Sequence, residues 1–237
     1  MLVARSAERL AALASELSTR HGIRAVPIAA DLAQPGAGPA LAGEVERRGL
    51  VVDVLVNNAG FATYAPFEQA SPEREREEVQ LNVVAVVDLT HSFFPGMLAR
   101  GRGAVVNVAS TAAFQPVPYM AVYGATKAFV LSFSEALWVE ARGRGVSVLA
   151  LCPGPTETNF FEVAGAQGLF DRKQSPQAVV EHALRALARG RTYAVPGLGN
   201  YLLSTSSRFT PRSLTARIAG SMMRPRQASV PAGAISR

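Results

Sequence analysis

Short apolar runs rich in β-branched residues alternate along the chain with Ala-, Leu- and Arg-rich stretches at helical spacing, and this alternation constrains the fold most. Runs such as Val51–Val56 and Val146–Leu151 are apolar over nearly their whole length, which is typical of parallel strands buried on both faces. Strands that alternate with helices indicate parallel strands joined by crossover helices. The sequence therefore predicts a single α/β domain with a doubly wound parallel sheet and helices on both faces.

The predicted strands and helices follow from these runs and from the residues that begin and end them. The predicted strands are Leu2–Ala4, Ile23–Ala29, Val52–Val56, Ala104–Val108, Val146–Leu151 and Thr192–Val195. The predicted helices are Ala7–Thr19, Gly38–Arg47, Pro72–Leu81, Val84–Ala99, Ala121–Ala141 and Pro176–Ala188. Ser71 and Ser175 each precede a Pro and predict helix N-caps, whereas Gly22 and Gly190 predict helix ends. The apolar residues of segment 159–174 follow neither a helical nor a strand period. The segment is therefore either a lid or an irregular surface loop.

Composition narrows the class of protein. The single Cys, Cys152, excludes an intrachain disulfide, and the sequence shows neither a secretory signal nor an apolar stretch near the ~20 residues of a membrane helix. We therefore expect a cytoplasmic protein. The three His residues are too far apart in sequence for metal ligation, so no metal site is predicted.

The basic charge is concentrated at one end of the chain. Formal net charge is +6, and residues 197–237 hold six Arg and no acid: Arg208, Arg212, Arg217, Arg224, Arg226 and Arg237. This division predicts a domain at 1–196 followed by a basic C-terminal extension at 197–237, and it gives no sign of a nucleic-acid-binding face. Two short amphipathic helices are predicted in this extension, at Asn200–Arg208 and Leu214–Met223. Two alternatives stay open for them: packing on the subunit or at the edge of an oligomer, and weak contact with an anionic membrane surface.

The strongest chemical motif is Tyr123-Gly124-Ala125-Thr126-Lys127, which places a phenol and an ammonium on one face of a helix. Spacing alone is a weak signal, because an exposed Tyr beside a solvated Lys has the same pattern. The other polar residues at predicted strand ends and in the helical region make it specific: Asp31, Asn57-Asn58-Ala59-Gly60, Asn82, Ser110 and Pro153-Gly154-Pro155-Thr156-Glu157-Thr158.

Taken together, these motifs make the chain resemble the short-chain dehydrogenase/reductase family over roughly residues 1–196. The resemblance implies a Rossmann-like fold and an oxidoreductase that interconverts a carbonyl and a secondary alcohol with NAD(P). It implies four catalytic residues, namely Asn82, Ser110, Tyr123 and Lys127. Tyr123 would be the acid/base, Ser110 would hold the substrate oxygen, and Asn82 would hold a water that links Lys127 to solvent. Lys127 and an oxidised nicotinamide would lower the pKa of the Tyr123 phenol.

Cofactor choice depends on Arg5. In the resembled family a basic residue just after the second strand pairs with the 2′-phosphate of NADP, and an acid there selects NAD. The sequence Leu2-Val3-Ala4-Arg5 therefore favours NADP(H), with NAD(H) as the alternative if Arg5 only begins a solvated helix. The cofactor-binding residues implied by the resemblance are Arg5, Asp31, Asn58, Ala59, Gly60, Tyr123, Lys127, Pro153, Gly154, Thr156 and Thr158.

The resembled fold begins with a strand, a glycine-rich turn and a helix, and none of the 237 residues forms such a turn. The sequence is therefore expected to be N-terminally truncated relative to that fold, with a gap at the centre of its sheet. Two explanations stay open: a start assigned too far downstream in a working enzyme, or a true truncation. The second would make the product a non-catalytic remnant or an interaction protein that binds no dinucleotide. A regulator that binds NADP(H) without turnover is a third alternative.

Aromatic and apolar residues in the later loops indicate the substrate class. They are Phe114, Tyr119, Met120, Phe160, Phe161, Leu169 and Phe170. They predict an apolar pocket for a lipophilic carbonyl compound, although closing the core is an equal explanation. The run Glu73–Glu78 alternates with Arg and predicts a solvated helix face. Family resemblance further implies a homodimer or a homotetramer.

Overall fold

Six parallel strands and nine α-helices make up the fold in a computed structural model, which describes residues 1–225. The strands are β1 (Leu2–Ala4), β2 (Pro27–Ala29), β3 (Val54–Asn57), β4 (Gly103–Val108), β5 (Val146–Leu151) and β6 (Tyr193–Ala194). The helices are α1 (Ala7–His21), α2 (Ala37–Arg47), α3 (Pro72–Val79), α4 (Ala85–Arg100), α5 (Ala121–Glu140), α6 (Phe160–Val163), α7 (Pro176–Ala188), α8 (Leu198–Ser206) and α9 (Arg212–Met223). This is the predicted α/β, Rossmann-like architecture in a single domain, and the fold prediction is confirmed.

The strands pair in two groups. β1 pairs with β2, and the second sheet has the order β3-β4-β5-β6, with every pairing parallel. Among the described residues β1 and β3 share no pairing. On one face a common apolar cluster spans both groups and includes Ile28, Leu55 and Leu89. On the other face Val54 and Val56 of β3 are 58% and 55% exposed.

Local signals set most of the helix ends. The side chains of Ser6, Ser71 and Ser175 accept hydrogen bonds from backbone N–H groups in the first turns of α1, α3 and α7. Gly22 ends α1 in the left-handed conformation at φ 62°, which glycine adopts without strain. The predicted N-caps and this helix end are therefore confirmed, whereas the predicted second strand is shorter than expected, since only Pro27–Ala29 pairs.

One continuous helical stretch, Pro72–Arg100, is long and apolar enough to cross a membrane by length and composition. It joins α3, a π-helical turn at Gln80–Val84, and α4. The sequence analysis did not identify this stretch as long enough to cross a membrane, because polar residues such as Asp88 interrupt its run of apolar residues. Leu89, Phe94 and Met97 of α4 lie buried in the main core cluster, which accounts for the apolar composition of this helix.

Buried amides tie the carboxyl ends of the central strands to the helices. Asn57 Nδ2 donates to Asn107 Oδ1 at 2.8 Å and to Thr90 Oγ1 at 3.1 Å. Asn107 Nδ2 in turn donates to Ser134 Oγ on α5 at 2.9 Å. Because buried polar groups cost free energy unless they are paired, this chain of hydrogen bonds holds α4 and α5 in register with β3 and β4 below the candidate site.

Candidate active site

Tyr123 and Lys127 lie one turn apart on α5 and are almost completely buried. The Lys127 ammonium nitrogen lies 5.7 Å from the centre of the Tyr123 ring. It also donates a hydrogen bond of 2.7 Å to the carbonyl oxygen of Val108, the last residue of β4. The sheet thus fixes the position of the ammonium, and α5 fixes that of the phenol beside it.

Asn82 lies in the π-helical turn between α3 and α4 and has no exposed surface. Its Oδ1 accepts from the Phe61 N–H at 3.2 Å, and its Nδ2 donates to Phe61 O at 2.9 Å and to Thr126 Oγ1 at 3.2 Å. The side chain therefore joins the loop after β3 to α5. A π-helical turn inserts an extra residue into a helix and is frequent at functional sites. Thr126, which completes this set of contacts, was not singled out by the sequence.

Gly60 permits the close approach of the loop after β3 to this group. A Cβ atom at Gly60 would lie 2.8 Å from Asn82 Oδ1 and 3.5 Å from Lys127 Nζ. Asn82 is held by three hydrogen bonds and has little room to move aside. Only glycine fits there without displacing it.

Ser110 follows β4 and caps a 3-10 turn at Thr111–Phe114. Its Oγ accepts from the Ala112 N–H at 3.1 Å. Ser110 is half-buried. Its hydroxyl lies beside the Tyr123 hydroxyl, and hydrogen bonding between the two opposes the rise in the pKa of Tyr123. The structure therefore brings Asn82, Ser110, Tyr123 and Lys127 to one place at the carboxyl end of β4.

Burial controls the protonation of the central pair. It raises the pKa of Tyr123 to about 12, an effect that Ser110 partly offsets and the Glu78 carboxylate reinforces. Burial also lowers the pKa of Lys127 to about 8, against the opposing charges of Cys152 and Glu78. Desolvation of the phenolate is the largest effect on the Tyr123 pKa in the protein itself. The lowering of this pKa by Lys127 together with an oxidised nicotinamide stays a prediction. At neutral pH Tyr123 is a neutral phenol that can donate a proton.

Glu78 is a buried carboxyl that the sequence interpretation placed on a solvated face. Its side chain has no exposed surface, and among the described residues neither carboxyl oxygen has a hydrogen-bond partner of good geometry. Burial raises its pKa to about 7, with Thr63 and Arg74 acting in the opposite direction. The interpretation was wrong because the charge run winds around α3 and its last member turns inward. Its position four residues before Asn82 is the signal that could have identified it.

Segment 159–174 forms a loop that folds back over Tyr123. Its base is closed by hydrogen bonds from Gln174 N to Pro155 O and from Glu157 N to Gln174 O. The Phe160 ring lies 5.3 Å from the Tyr123 ring, centre to centre. Arg74, another member of the charge run, donates to the carbonyl oxygen of Val163 at 2.6 Å and so fixes the loop to α3.

The residues predicted to bind the cofactor lie at or just beyond the carboxyl ends of the parallel strands, the edge at which such sheets bind nucleotides. Arg5 follows β1 and is exposed, Asp31 follows β2, and the exposed pair Asn58-Ala59 follows β3. Asp31 accepts hydrogen bonds from Ala33 N and from the Gln34 side chain.

The remaining cofactor residues follow β5. They are Pro153, Gly154, Thr156 and Thr158. Thr156 Oγ1 donates to Gly154 O, and Thr158 Oγ1 accepts from Phe160 N. Gly154 packs closely on the side chain of Asn200, which leaves no room for a Cβ atom at this position.

The residues present fit the two nucleoside ends of a nicotinamide dinucleotide. The exposed backbone of Asn58–Gly60 lies beside the buried Lys127 ammonium, which is a suitable arrangement for ribose hydroxyls. Arg5 provides an exposed guanidinium for a phosphate at the other end. For the pyrophosphate, the sequence has no glycine-rich turn.

The apolar residues predicted to line a substrate pocket pack against one another instead. Met120, Phe161, Leu169 and Phe170 share a closed cluster with Tyr123. A cleft of about 470 Å³ lies alongside, and its lining is mainly polar: Glu157, Thr158, Asn159, Phe170, Asp171 and Lys173. Within residues 1–225 no group of three His, Cys, Asp or Glu side chains lies close enough to hold a metal ion.

The family model described as "short chain dehydrogenase" matches residues 1–167 of this chain. A very-long-chain 3-oxoacyl-CoA reductase of Bos taurus is 29% identical over 201 residues, which are 83% of this chain and 63% of the bovine protein. The chain thus spans about three-fifths of the length of this curated relative.

Two solved structures are similar over most of the chain. A short-chain dehydrogenase from Sphingobium yanoikuyae in complex with NADPH has a TM-score of 0.79 and 32% identity, and the match covers 96% of this chain and 86% of that one. A 7β-hydroxysteroid dehydrogenase has a TM-score of 0.83 and 25% identity, with 92% and 85% covered.

Proposed function

The chain belongs to the short chain dehydrogenase family, and from this premise we propose that it is an NADP(H)-dependent oxidoreductase that interconverts a carbonyl and a secondary alcohol. The observation that carries the proposal is the convergence of Asn82, Ser110, Tyr123 and Lys127 around one point at the carboxyl end of β4. The similarity to oxidoreductases whose names specify acyl-CoA and hydroxysteroid substrates supports it.

Ser110, Tyr123 and Lys127 would each have a separate role in the reduction of a carbonyl. Ser110 holds the carbonyl oxygen of the substrate next to the Tyr123 hydroxyl. Tyr123, neutral at pH 7, donates its proton to that oxygen as the carbonyl is reduced. The Lys127 ammonium stabilises the phenolate that forms, and it would also hold the nicotinamide ribose. A bound nicotinamide dinucleotide would supply the hydride.

We propose that the substrate is lipophilic. Most apolar residues near Tyr123 pack against one another, but the Phe160 ring is only half-buried and lies 5.3 Å from the Tyr123 ring. An apolar group next to the carbonyl would contact that aromatic surface. Incubation with NADPH and a panel of carbonyl compounds tests this class. We expect absorbance loss at the nicotinamide band with a long-chain 3-oxoacyl-CoA or a steroid ketone. Faster turnover of a small sugar ketone than of either lipophilic compound would contradict the proposed class.

Preference for NADP(H) would depend on Arg5, which is exposed at the end of β1 and has no ion pair within residues 1–225. Because a charge-assisted hydrogen bond contributes about 1.5–3 kcal/mol, Arg5→Gln should weaken NADPH binding roughly 10- to 100-fold while NADH binding stays unchanged. Calorimetric titration of both nucleotides measures the ratio. Arg9→Gln, on the exposed side of α1, is the matched control. An equal loss for the two nucleotides would show that Arg5 does not read the 2′-phosphate.

The alternative is an interaction protein or remnant that binds no dinucleotide. Calorimetry of NADPH with the chain, run beside a thermal melt, separates the two. A cooperative melt without any NADPH binding would favour the alternative, and binding without turnover would favour a regulator.

The cytoplasmic location and the homodimer or homotetramer stay predictions. For self-association, α5 offers a stacked pair of rings, Phe129 and Phe133, 5.7 Å apart, with Phe129 partly exposed and Val139 exposed farther along the helix. Burying this apolar surface would favour association through α5. The division at residues 196 and 197 also stays a prediction, and Arg226 and Arg237 of the extension lie outside the described residues.

A further inference from the structure

Helices α8 and α9 expose the apolar side chains that such helices normally bury. We call these residues the apolar face: Leu198, Tyr201, Leu202, Leu203, Phe209, Leu214, Ile218 and Met222. Phe209, in the turn between the two helices, is 86% exposed, and Met222 is 70% exposed. Large apolar side chains concentrated in one surface segment mark an interaction site, whereas isolated ones need no explanation.

Apart from Met223 at the end of α9, the inward sides of both helices are mainly small or polar. Asn200, Ser204 and Ser207 form the less exposed stripe of α8 at spacings of four and three residues. On α9 the corresponding stripe contains Ala216, Ala219 and Gly220, and Gly220 lies near Pro118. This arrangement reverses the usual pattern, in which a surface helix turns its apolar stripe toward the core. The reversed pattern indicates that α8 and α9 bury their apolar side chains against something outside the subunit.

The charge next to the apolar face has a single sign. Arg208, Arg212, Arg217 and Arg224 are all exposed, and residues 198–225 contain no Asp or Glu. On α9, Leu214, Ile218 and Met222 recur every four residues as one apolar stripe, with Arg217 and Arg224 beside it. A surface that is apolar along one line and cationic beside it matches an anionic lipid surface, where acyl chains lie below negatively charged headgroups.

We propose that the apolar face and its four Arg residues bind the surface of a membrane that contains anionic lipid. A second copy of the chain is the less suitable occupant. Symmetric pairing would place the same patch on both subunits face to face and bring two Arg-rich surfaces together without an acidic residue between them. The cationic charge favours an anionic partner, and the extended apolar stripes favour a lipid surface over an acidic protein.

The apolar face lies on the same side of the molecule as the candidate active site. Tyr64 Oη donates to the carbonyl oxygen of Met223 at 2.7 Å, and Met223 packs on the cluster that contains Tyr123. At the start of α8, Asn200 Nδ2 donates to Gln174 Oε1 at the base of the loop over Tyr123. Membrane contact there would place the site next to lipophilic molecules. Binding itself does not depend on the proposed oxidoreductase activity.

Vesicle flotation of the full chain tests the proposal. We expect the protein to float with phosphatidylcholine vesicles that contain phosphatidylglycerol and to stay at the bottom with pure phosphatidylcholine, with high salt weakening the binding. The triple variant Arg208→Gln, Arg212→Gln, Arg217→Gln should bind on the order of 100-fold more weakly, since each basic residue near such a surface contributes about 1 kcal/mol. The variant Leu202→Ser, Phe209→Ser, Ile218→Ser should also lose binding.

Matched controls carry the same chemical changes elsewhere on the surface. Arg20→Gln and Leu184→Ser alter exposed residues outside α8 and α9 and should float like the wild type. Thermal melts establish that every variant is folded. The proposal is overturned if the wild type does not float with anionic vesicles, or if the triple variants float as well as the controls. It is also overturned if the Ser variant changes a dimer to a monomer without affecting flotation, because a second copy would then cover the apolar face. NADPH oxidation is measured separately, so a failure of the proposed activity leaves the flotation result unaffected.

Discussion

Replacement of Tyr123 by Phe should lower carbonyl-dependent NADPH oxidation by about 10²- to 10⁴-fold, the usual contribution of a positioned general acid. The change removes one hydroxyl and leaves the ring in its contact with Phe160. NADPH binding should stay within a few-fold of the wild type, because Lys127 keeps its hydrogen bond to Val108 O. The measurement is the rate of absorbance loss under saturating NADPH, together with calorimetric binding of NADPH to both proteins.

Tyr201→Phe is the matched control for loss of a phenol hydroxyl, since Tyr201 is 44% exposed on α8 and is not one of the residues assigned to the candidate site. It should retain wild-type turnover. Undiminished turnover by Tyr123→Phe would remove Tyr123 from the acid/base role. A variant that lost NADPH binding and turnover together would indicate that the phenol supports the cofactor site and not proton transfer.

Replacement of Glu78 by Gln should change how folding stability depends on pH. The pKa of Glu78 is raised from 4.5 to about 7 in the folded protein, so the folded state holds this proton more tightly than the unfolded chain does. The stability contribution is therefore fully present below pH 4.5 and is lost as pH rises toward 7. At 1.36 kcal/mol per pKa unit, the wild type should lose about 3 kcal/mol through this group between these limits. Glu78→Gln should not show this loss.

Denaturant unfolding across this pH range measures the effect as a difference between the variant and wild type. That difference should increase with pH and level off above pH 7. Glu77→Gln is the control because Glu77 is the neighbouring residue on the exposed side of α3, and its difference from the wild type should not vary with pH in this way. A pH-independent difference for Glu78→Gln would mean that the carboxyl is not desolvated in the folded state.

Most of the secondary structure could be predicted because its signals are local. The N-caps at Ser71 and Ser175, the left-handed Gly22 and the apolar runs of β4 and β5 depend on neighbours within a few residues. Strand ends were less accurate, since pairing with another strand decides them. Residues 23–26 have a composition typical of a strand, but only Pro27–Ala29 pairs with β1.

The polar residues of the candidate site could be selected from the sequence because their types and spacing are specific in combination. Their environment could not. Burial raises the pKa of Tyr123, and it also raises the pKa of Glu78 although the sequence neighbours of Glu78 are solvated. Both effects arise from residues distant along the chain that exclude water from the same volume.

The sequence by itself determined the α/β class, the parallel order of elements, and the group of Asn82, Ser110, Tyr123 and Lys127, because periodicity and residue type encode these properties locally. Only the tertiary structure decided which side chains lose contact with water. It turns Glu78 inward, closes the Phe160 loop over Tyr123, and turns the small residues of α8 and α9 toward the protein so that most of their large apolar side chains face outward. Desolvation depends on what packs against a residue from elsewhere in the chain, and sequence neighbours do not specify that packing.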